Sequence, residues 1–248
     1  MTSLTRADWE QRAKTLKVEG RAFIHGEYCA AQSGATFECI SPVDGRLLAQ
    51  VVSCDAPDAE IAVADARATF DSGVWSRLAP VKRKAVMIRF ADLIEQHGEE
   101  LALLETLDMG KPITDALTID LPEVVSTFRY YAECIDKLDG AVTNTAPGTL
   151  HLIQREPLGI IGAISPWNYP LLMASWKVAP ALAAGNCVVL KPAQQAPLSC
   201  LRLAQLFIEA GGPPGVFNVV NGDGPITGRA LALHMDVDCI AFTGSTRV

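Results

Sequence analysis

The 248 residues contain no Cys-x-x-Cys pair and no cluster of cysteine and histidine with the spacing of a zinc site. Seven cysteines are nevertheless present, and they are widely scattered: Cys29, Cys39, Cys54, Cys134, Cys187, Cys200 and Cys239. An odd number of scattered cysteines is typical of a reducing compartment. We therefore expect a cytoplasmic protein, and we predict no metal site.

Long basic runs are also missing, and the formal net charge is -7 with a pI near 5.1. This balance argues against nucleic acid or an anionic membrane as the main partner. The N-terminus lacks the continuous apolar core of a secretory signal. Residues 157–176 carry no charged side chain, but their glycines and prolines would break a membrane helix. A small soluble molecule is the expected ligand.

The apolar content of 49% is sufficient for one large domain or two small ones. Residues 21–53 read as short antiparallel strands, with Asp44-Gly45 as a hairpin turn. From residue 57 to about 139 the apolar residues follow a helical period, which predicts three or four helices. Interruptions are expected near Gly73, Gly98 and residues 110–112.

The second half of the chain has a different pattern of apolar residues. Apolar runs GIIGAI, CVVL, VFNVV and DCIAF alternate with helix-like segments, which predicts parallel strands with crossover helices. The fold class is thus α/β, with a Rossmann-like open parallel sheet. We divide the chain into a hairpin and helical part (1–139), an extended hairpin arm (140–156) and a cofactor-binding part (157–248).

The predicted strands end in the loops SPWNYP, KPAQ, NGDGPITG and TGST, which should share one edge of the sheet. The glycines Gly222, Gly224 and Gly228 suit a pyrophosphate, and a plain glycine turn before a helix is the alternative. Lys191 suits ribose or phosphate, or is a solvated lysine. Asn168, between two prolines, could aim an amide at an oxyanion or serve only in a turn.

Taken together and in this order, PWNYP, GN-x-VVLKP, the glycine turn and FTGST resemble the aldehyde dehydrogenase superfamily. FIHGEY, SPVDGR, the segment from KRKAVMIRF to LDMGKPI, and FRYYAECIDK resemble its branch that oxidises γ-glutamyl-γ-aminobutyraldehyde and 4-guanidinobutyraldehyde. The resemblance covers the whole chain but only about the first half of a family member.

The resemblance implies roles for particular residues. Asn168 matches the amide that holds the oxyanion. The positions that match cofactor contacts are Ile164, Ser165, Pro166, Trp167, Lys191, Gln194, Gly224, Gly228, Gly244, Ser245 and Val248. The positions that match the substrate tunnel are Tyr169, Met173 and Trp176, although a Met and Trp one turn apart are more often core residues.

Gln194 departs from the family, which usually has a glutamate there to accept hydrogen bonds from the adenosine ribose. A neutral amide is a weaker acceptor and does not repel a 2′-phosphate. The resemblance therefore implies NAD as cofactor but leaves NADP possible.

Asp120 and Glu123 lie in the helical stretch after KPI, at i,i+3 spacing that would present two carboxylates together. In aminoaldehyde-oxidising relatives, acids in this region line the tunnel mouth. An aldehyde with a distant amine or guanidinium is thus the expected substrate, with a solvated acidic helix face as the alternative.

Family chemistry needs a cysteine thiolate and a glutamate that activates water, and no cysteine here matches the nucleophile's motif. Cys187 and Cys239 lie in apolar strand runs and are predicted to be inert core thiols. We expect residues 1–248 to bind cofactor without oxidising aldehydes, and to self-associate or to dock on a full-length homologue. A non-catalytic interaction protein and a pseudogene product remain alternatives.

Overall fold

A computed structural model describes residues 4–245 of the chain. The N-terminal elements are α1 (Arg6–Thr15), β1 (Ala22–Ile24), β2 (Glu27–Cys29), β3 (Thr36–Ile40) and β4 (Leu47–Val52). The helix α1 was not predicted; it begins at Thr5, whose hydroxyl accepts a hydrogen bond from the backbone N–H of Asp8, and it buries no residue. The antiparallel pairing of β1 with β2 and of β3 with β4 confirms the hairpin prediction.

The helical stretch comprises α2 (Ala56–Ser72), α3 (Pro80–Gln96), α4 (Gly98–Met109), the short α5 (Ile113–Asp115), a π-helical turn (Ala116–Asp120) and α6 (Leu121–Cys134). The predicted interruptions are confirmed. Gly73 and Gly110 end α2 and α4 in the left-handed conformation, with φ of 79° and 82°, which glycine adopts without strain.

Residues 140–156 form a small ribbon of two antiparallel strands, β5 (Ala141–Thr143) and β6 (His151–Ile153). All but one of these residues are exposed, and Val142, Leu150 and Leu152 are 70%, 72% and 61% accessible. The ribbon therefore buries almost nothing against the rest of the described chain.

The second half contains β7 (Ile160–Ile164), α7 (Pro170–Ala183), β8 (Cys187–Lys191), α8 (Leu198–Glu209), β9 (Phe217–Val219), a second π-helical turn (Gly224–Gly228), α9 (Arg229–Leu233) and β10 (Cys239–Phe242). The strands of the main sheet run in the order β10-β7-β8-β9-β1-β2. The first four are parallel, as predicted, and β1 joins β9 in antiparallel fashion. The strands β3 and β4 form a separate sheet.

Helices cover both faces of the main sheet. One face packs against α2, and the other packs against α7 and α8, with α3, α4 and α6 forming a further layer over those two helices. Phe207 on α8 joins these layers because its ring makes edge contacts to Trp75, Phe90 and Phe217 at centroid distances of 5.6, 5.4 and 6.1 Å. Within residues 4–245, no helix is both long and apolar enough to cross a bilayer.

Candidate functional site

The carboxyl ends of three neighbouring parallel strands define the site. Ile164, the last residue of β7, pairs with Lys191 at the end of β8 and with Phe242 at the end of β10. The backbone N–H of Thr243 then donates to the carbonyl of Ile164 at 3.1 Å, and the N–H of Ser165 donates to that of Lys191 at 3.2 Å. The loops that follow these strands therefore leave the sheet side by side, as the sequence predicted.

Lys191 is a buried lysine, 4% accessible. Its ammonium donates one hydrogen bond, to the carbonyl of Pro192 at 3.0 Å. Burial lowers the pKa of Lys191 to about 8. Because the ammonium makes no other hydrogen bond within residues 4–245, its remaining N–H groups have no partner there and could bind a ligand.

The glycine turn lies against this lysine. A Cβ atom built on Gly228 would lie 3.6 Å from Cδ of Lys191 and 4.0 Å from Cδ1 of Ile164. Three residues that the family resemblance assigns to the cofactor are thus brought together. Gly224 has open space where a side chain would stand, so its backbone is accessible.

The spacing of this turn is one residue longer than G-x-G-x-x-G, and a π-helical turn accommodates the extra residue. The N–H of Gly228 donates to the carbonyl of Asp223, five residues earlier, at 3.2 Å. Gly222 precedes this turn with φ of 142°, and a Cβ atom there would lie 2.3 Å from Oγ1 of Thr227 and 2.7 Å from the carbonyl oxygen of Cys54. Only glycine fits this position without strain.

The SPWNYP loop exposes Asn168, whose side chain makes no hydrogen bond to any residue in the range 4–245. Trp167 is also exposed, at 53%. It lines a cavity of about 510 Å³ that it shares with Gln194. Pro166 is half-buried, and Ser165 is buried with a hydroxyl that lacks a hydrogen-bond partner in this part of the structure. The loop therefore carries one free amide, one free hydroxyl and one exposed ring.

The residues predicted for the substrate tunnel lie on and before α7. Tyr169 and Trp176 are 40% and 56% exposed, and Met173 is half-buried. Trp176 lines a shallow cavity of about 410 Å³ together with Ser126, Thr127, Tyr130 and Tyr131 of α6.

The predicted pair of carboxylates at Asp120 and Glu123 is wrong in one respect: the two do not face solvent together. The side chain of Asp120 is 2% exposed and forms an ion pair with Lys111, whereas Glu123 is exposed. The turn at residues 110–112 places Lys111 beside the π-helical turn, where its charge neutralises Asp120. The same ammonium lies 3.8 Å from the ring centroid of Tyr169, so this pair also contacts the SPWNYP loop.

Two buried carboxyl groups of α4 were missed by the sequence analysis. Oε1 of Glu105 accepts a hydrogen bond from Oγ of Ser199 at 2.5 Å and from the N–H of Leu171 at 3.3 Å. Oδ2 of Asp108 accepts from the N–H of Leu198 at 2.8 Å. The two acids thus bind the first turns of α7 and α8, immediately after the loops that carry Asn168 and Gln194.

The environment of these acids disfavours their charged forms. Burial raises the pKa of Glu105 to about 8 and that of Asp108 to about 7. Oε2 of Glu105 has no partner in the described chain. The signal that could have found them is an i,i+3 pair of acids within the largely apolar segment LALLETLDM.

Lys177 was also missed, although it is the one charged residue of α7. Its ammonium donates to Oγ1 of Thr243 at 2.6 Å and to the carbonyl of Met173 at 3.1 Å. Lys177 therefore ties α7 to the loop after β10. Gly244 and Ser245 of that loop are exposed, and Val248, predicted for the adenine pocket, lies outside the described residues.

Three buried cysteines have a raised thiol pKa, which makes them poor nucleophiles. Burial raises the pKa of Cys187 and Cys54 to about 12 and that of Cys200 well above its ordinary value. The prediction that Cys187 is a core thiol is confirmed. The same prediction for Cys239 is wrong, because β10 is the outermost described strand of the sheet and leaves this residue exposed.

Comparison with known proteins adds to this geometry. A model of the aldehyde dehydrogenase family matches residues 28–248. The NADP/NAD-dependent aldehyde dehydrogenase PuuC of Escherichia coli K12 is 52% identical over 241 residues, which are 97% of this chain and 49% of PuuC. The chain spans about half the length of the curated relatives it matches.

Solved structures of aldehyde dehydrogenases are also similar to this chain in sequence and fold. The indole-3-acetaldehyde dehydrogenase AldA of Pseudomonas syringae, in complex with NAD+ and IAA, is 64% identical with a TM-score of 0.98, over 99% of this chain and 50% of that one. A γ-glutamyl-γ-aminobutyraldehyde dehydrogenase from Burkholderia cenocepacia is 55% identical with a TM-score of 0.96, over 98% of this chain and 49% of that one.

Replacing Lys111 with Met is expected to lower the free energy of unfolding by about 3–5 kcal/mol, because it leaves the buried carboxylate of Asp120 without its partner. Urea denaturation measures the loss. Lys84 is the matched control, since it pairs with two half-exposed carboxylates, and Lys84→Met should cost much less. The double variant Lys111→Met, Asp120→Asn should recover part of the loss. Equal costs for the two single variants would contradict this account.

Replacing Glu105 with Gln should flatten the pH dependence of stability. In the unfolded chain Glu105 loses its proton at about pH 4, whereas the folded protein holds it to about pH 8. The parent protein therefore becomes less stable as pH rises through this window. The glutamine keeps the acceptor for Ser199 and Leu171 but has no proton to lose, so the fall should shrink by on the order of 2 kcal/mol.

Denaturation at several pH values tests this expectation. Glu156→Gln serves as control, because Glu156 is exposed and makes no hydrogen bond or ion pair with the rest of residues 4–245. If Glu105→Gln and Glu156→Gln change the pH dependence equally, the carboxyl group of Glu105 is not held protonated by burial.

Proposed function

The chain belongs to the aldehyde dehydrogenase family, and we propose that the protein oxidises an aldehyde to a carboxylic acid with NAD or NADP as electron acceptor. The observation that carries this proposal is the free amide of Asn168 at the same edge of the sheet as Lys191 and the glycine turn. An amide donor and a dinucleotide site at one edge are two of the features that such an oxidation requires.

The described residues fit the adenosine half of a dinucleotide. Lys191 has free N–H groups for a ribose or phosphate, and the hydroxyl of Ser165 is buried without a partner. The glycine turn offers accessible backbone at Gly224, and Ser245 is exposed at the end of the neighbouring loop. These residues, with Ile164, Pro166, Trp167, Gln194, Gly228 and Gly244, would hold the cofactor, whose nicotinamide supplies the electron acceptor when bound.

Asn168 would act as the oxyanion donor. Its side-chain N–H₂ makes no competing hydrogen bond within the described chain, and the loop is held at its far end because Glu105 binds the N–H of Leu171. A donor that is already in position stabilises negative charge as it develops on the aldehyde oxygen, without reorganising at that moment.

For the nucleophile we keep the expectation drawn from the sequence. The thiols of Cys54, Cys187 and Cys200 stay protonated at neutral pH because burial raises their pKa. A thiol in this form is a poor nucleophile. Because no cysteine of the sequence matches the family nucleophile's motif either, we propose that residues 1–248 bind the cofactor and polarise the carbonyl, and that they do not supply the attacking thiolate.

We propose an amino- or guanidino-aldehyde as substrate. Glu123 is exposed on α6 and lies one helical turn before Thr127, which lines the cavity with Tyr130, Tyr131 and Trp176. A carboxylate next to aromatic faces suits a cationic group. Since Asp120 is neutralised by Lys111, this proposal depends on Glu123 alone. A neutral aromatic aldehyde, like that named for AldA, is the alternative that the exposed rings of Trp167 and Tyr169 would suit.

The hairpin ribbon at 140–156 is proposed as an oligomerisation arm. Its exposed Val142, Leu150 and Leu152 would be buried by a second copy or by a full-length homologue. A purely non-catalytic interaction protein would use the same surface, and it would show no turnover with any aldehyde.

Asn168→Ala is expected to lower kcat by about 100- to 1000-fold while cofactor binding stays unchanged. The assay measures formation of the reduced nicotinamide by the complete polypeptide that contains residues 1–248, whatever its length. Gln11→Ala, which removes an exposed amide from α1, is the control. An Asn168→Ala protein as active as this control would remove the oxyanion role.

Glu123→Gln should raise KM for γ-aminobutyraldehyde and 4-guanidinobutyraldehyde by about three- to tenfold and leave KM for indole-3-acetaldehyde unchanged, because only the first two carry a cation. The parent and variant are compared on all three aldehydes. Glu99→Gln, which changes an exposed glutamate that pairs with Arg12, is the control for loss of surface charge. An equal change in KM for all three substrates would contradict the proposal that Glu123 binds the cationic group of the substrate.

A further inference from the structure

Gln194 leaves the expected ribose position without a negative charge. Dinucleotide-binding sheets commonly place an acidic residue at the adenosine ribose, where it accepts hydrogen bonds from the hydroxyl groups and repels a 2′-phosphate. The amide of Gln194 is a weaker acceptor for the ribose hydroxyl groups and carries no charge to repel a 2′-phosphate. An acidic residue, Asp223, lies at the same edge of the sheet, between Gly222 and Gly224 and directly before the π-helical turn.

The backbone of Asp223 is held firmly at this edge. Its carbonyl accepts hydrogen bonds from the N–H of Thr227 at 2.9 Å and from the N–H of Gly228 at 3.2 Å. Gly228 in turn lies against the aliphatic stem of Lys191, with 3.6 Å between its ideal Cβ position and Cδ of the lysine. Asp223 and Lys191 therefore both contact Gly228, the first through a backbone hydrogen bond and the second through its side-chain stem.

The carboxylate of Asp223 is not used by the protein. It does not cap the π-helical turn that follows it, and it makes no ion pair or hydrogen bond with the part of the chain that the structure describes. The residue is half-buried, so a ligand can reach it. Burial lowers the pKa of Lys191, and the charge of Asp223 acts in the opposite direction, which agrees with their proximity.

We propose that Asp223 is the residue that selects NAD over NADP. Its carboxylate accepts a hydrogen bond from the 2′-hydroxyl of the adenosine ribose and repels a 2′-phosphate at that position. Lys191 by itself would attract the phosphate, since an ammonium binds a dianion well. The pair therefore presents a cation to the ribose oxygens with its charge balanced by a neighbouring anion. This inference rests on the cofactor site proposed above.

Two small ligands isolate the effect without any catalytic readout. Adenosine 5′-monophosphate carries the ribose hydroxyls, and adenosine 2′,5′-bisphosphate adds only the 2′-phosphate. Calorimetric or NMR titration of both into the parent protein and Asp223→Asn gives two ratios of Kd. Asp223→Asn should reduce the preference for the monophosphate by about tenfold, chiefly by tighter binding of the bisphosphate.

Asp236→Asn is the matched control, because it removes the same charge from an exposed residue. Asp236 precedes the N-terminal end of β10, whereas the candidate site lies at the carboxyl ends of the strands. Gln194→Glu provides a second arm and should increase the preference for the monophosphate. An unchanged ratio in Asp223→Asn, with the monophosphate still bound, would overturn the role of Asp223 alone. Failure of the parent to bind the monophosphate would overturn both this role and the cofactor site.

Discussion

The hydrogen-bonding register of β10, β7 and β8 is the constraint on which the site depends. Because these strands are parallel and Ile164 pairs with both Lys191 and Phe242, all three strands end at one level. The loops that carry Asn168 and Ser245 must then leave the sheet at neighbouring points. Lys191 lies at the same level, at the end of β8. A shift of one residue in either pairing would turn Lys191 or Ile164 to the opposite face of the sheet.

The loops at this edge are held by polar side chains from the helical layer. Glu105 and Asp108 bind backbone N–H groups at the starts of α7 and α8, and Lys111 contacts Tyr169 next to Asn168. Buried acids of this kind are costly to fold, because desolvation penalises their charged form. Both acids lie just beyond the loops that carry Asn168 and Gln194, and their hydrogen bonds fix the points at which α7 and α8 begin.

Charge at the site is closely balanced. Lys111 neutralises Asp120, and the charge of Asp223 acts on Lys191 although the two form no ion pair. Net charge therefore says little about which ligand the site prefers. Within residues 4–245, the side chains of Asn168, Ser165, Lys191, Asp223 and Glu123 keep polar atoms without an internal partner, and the proposals above assign these atoms to a ligand.

Much of the fold followed from local patterns. Parallel strands at residues 160–164, 187–191 and 239–242, the hairpin at Asp44-Gly45 and the helix ends at Gly73 and Gly110 were all predicted, because apolar period and glycine conformation are local properties. The loop edge followed from topology alone, since parallel strands share their carboxyl ends.

Other features depended on contacts between residues far apart in sequence. The i,i+3 spacing of Asp120 and Glu123 says nothing about Lys111, which neutralises one of them. The exposure of Cys239 depends on its place at the outer described strand, and the buried carboxyl groups of Glu105 and Asp108 depend on helices about 70–90 residues away. The sequence by itself determined most of the elements, their order and the loops that carry the candidate site. Only the tertiary structure decided which charges in those loops stay free, because burial and pairing are set by neighbours that folding brings together.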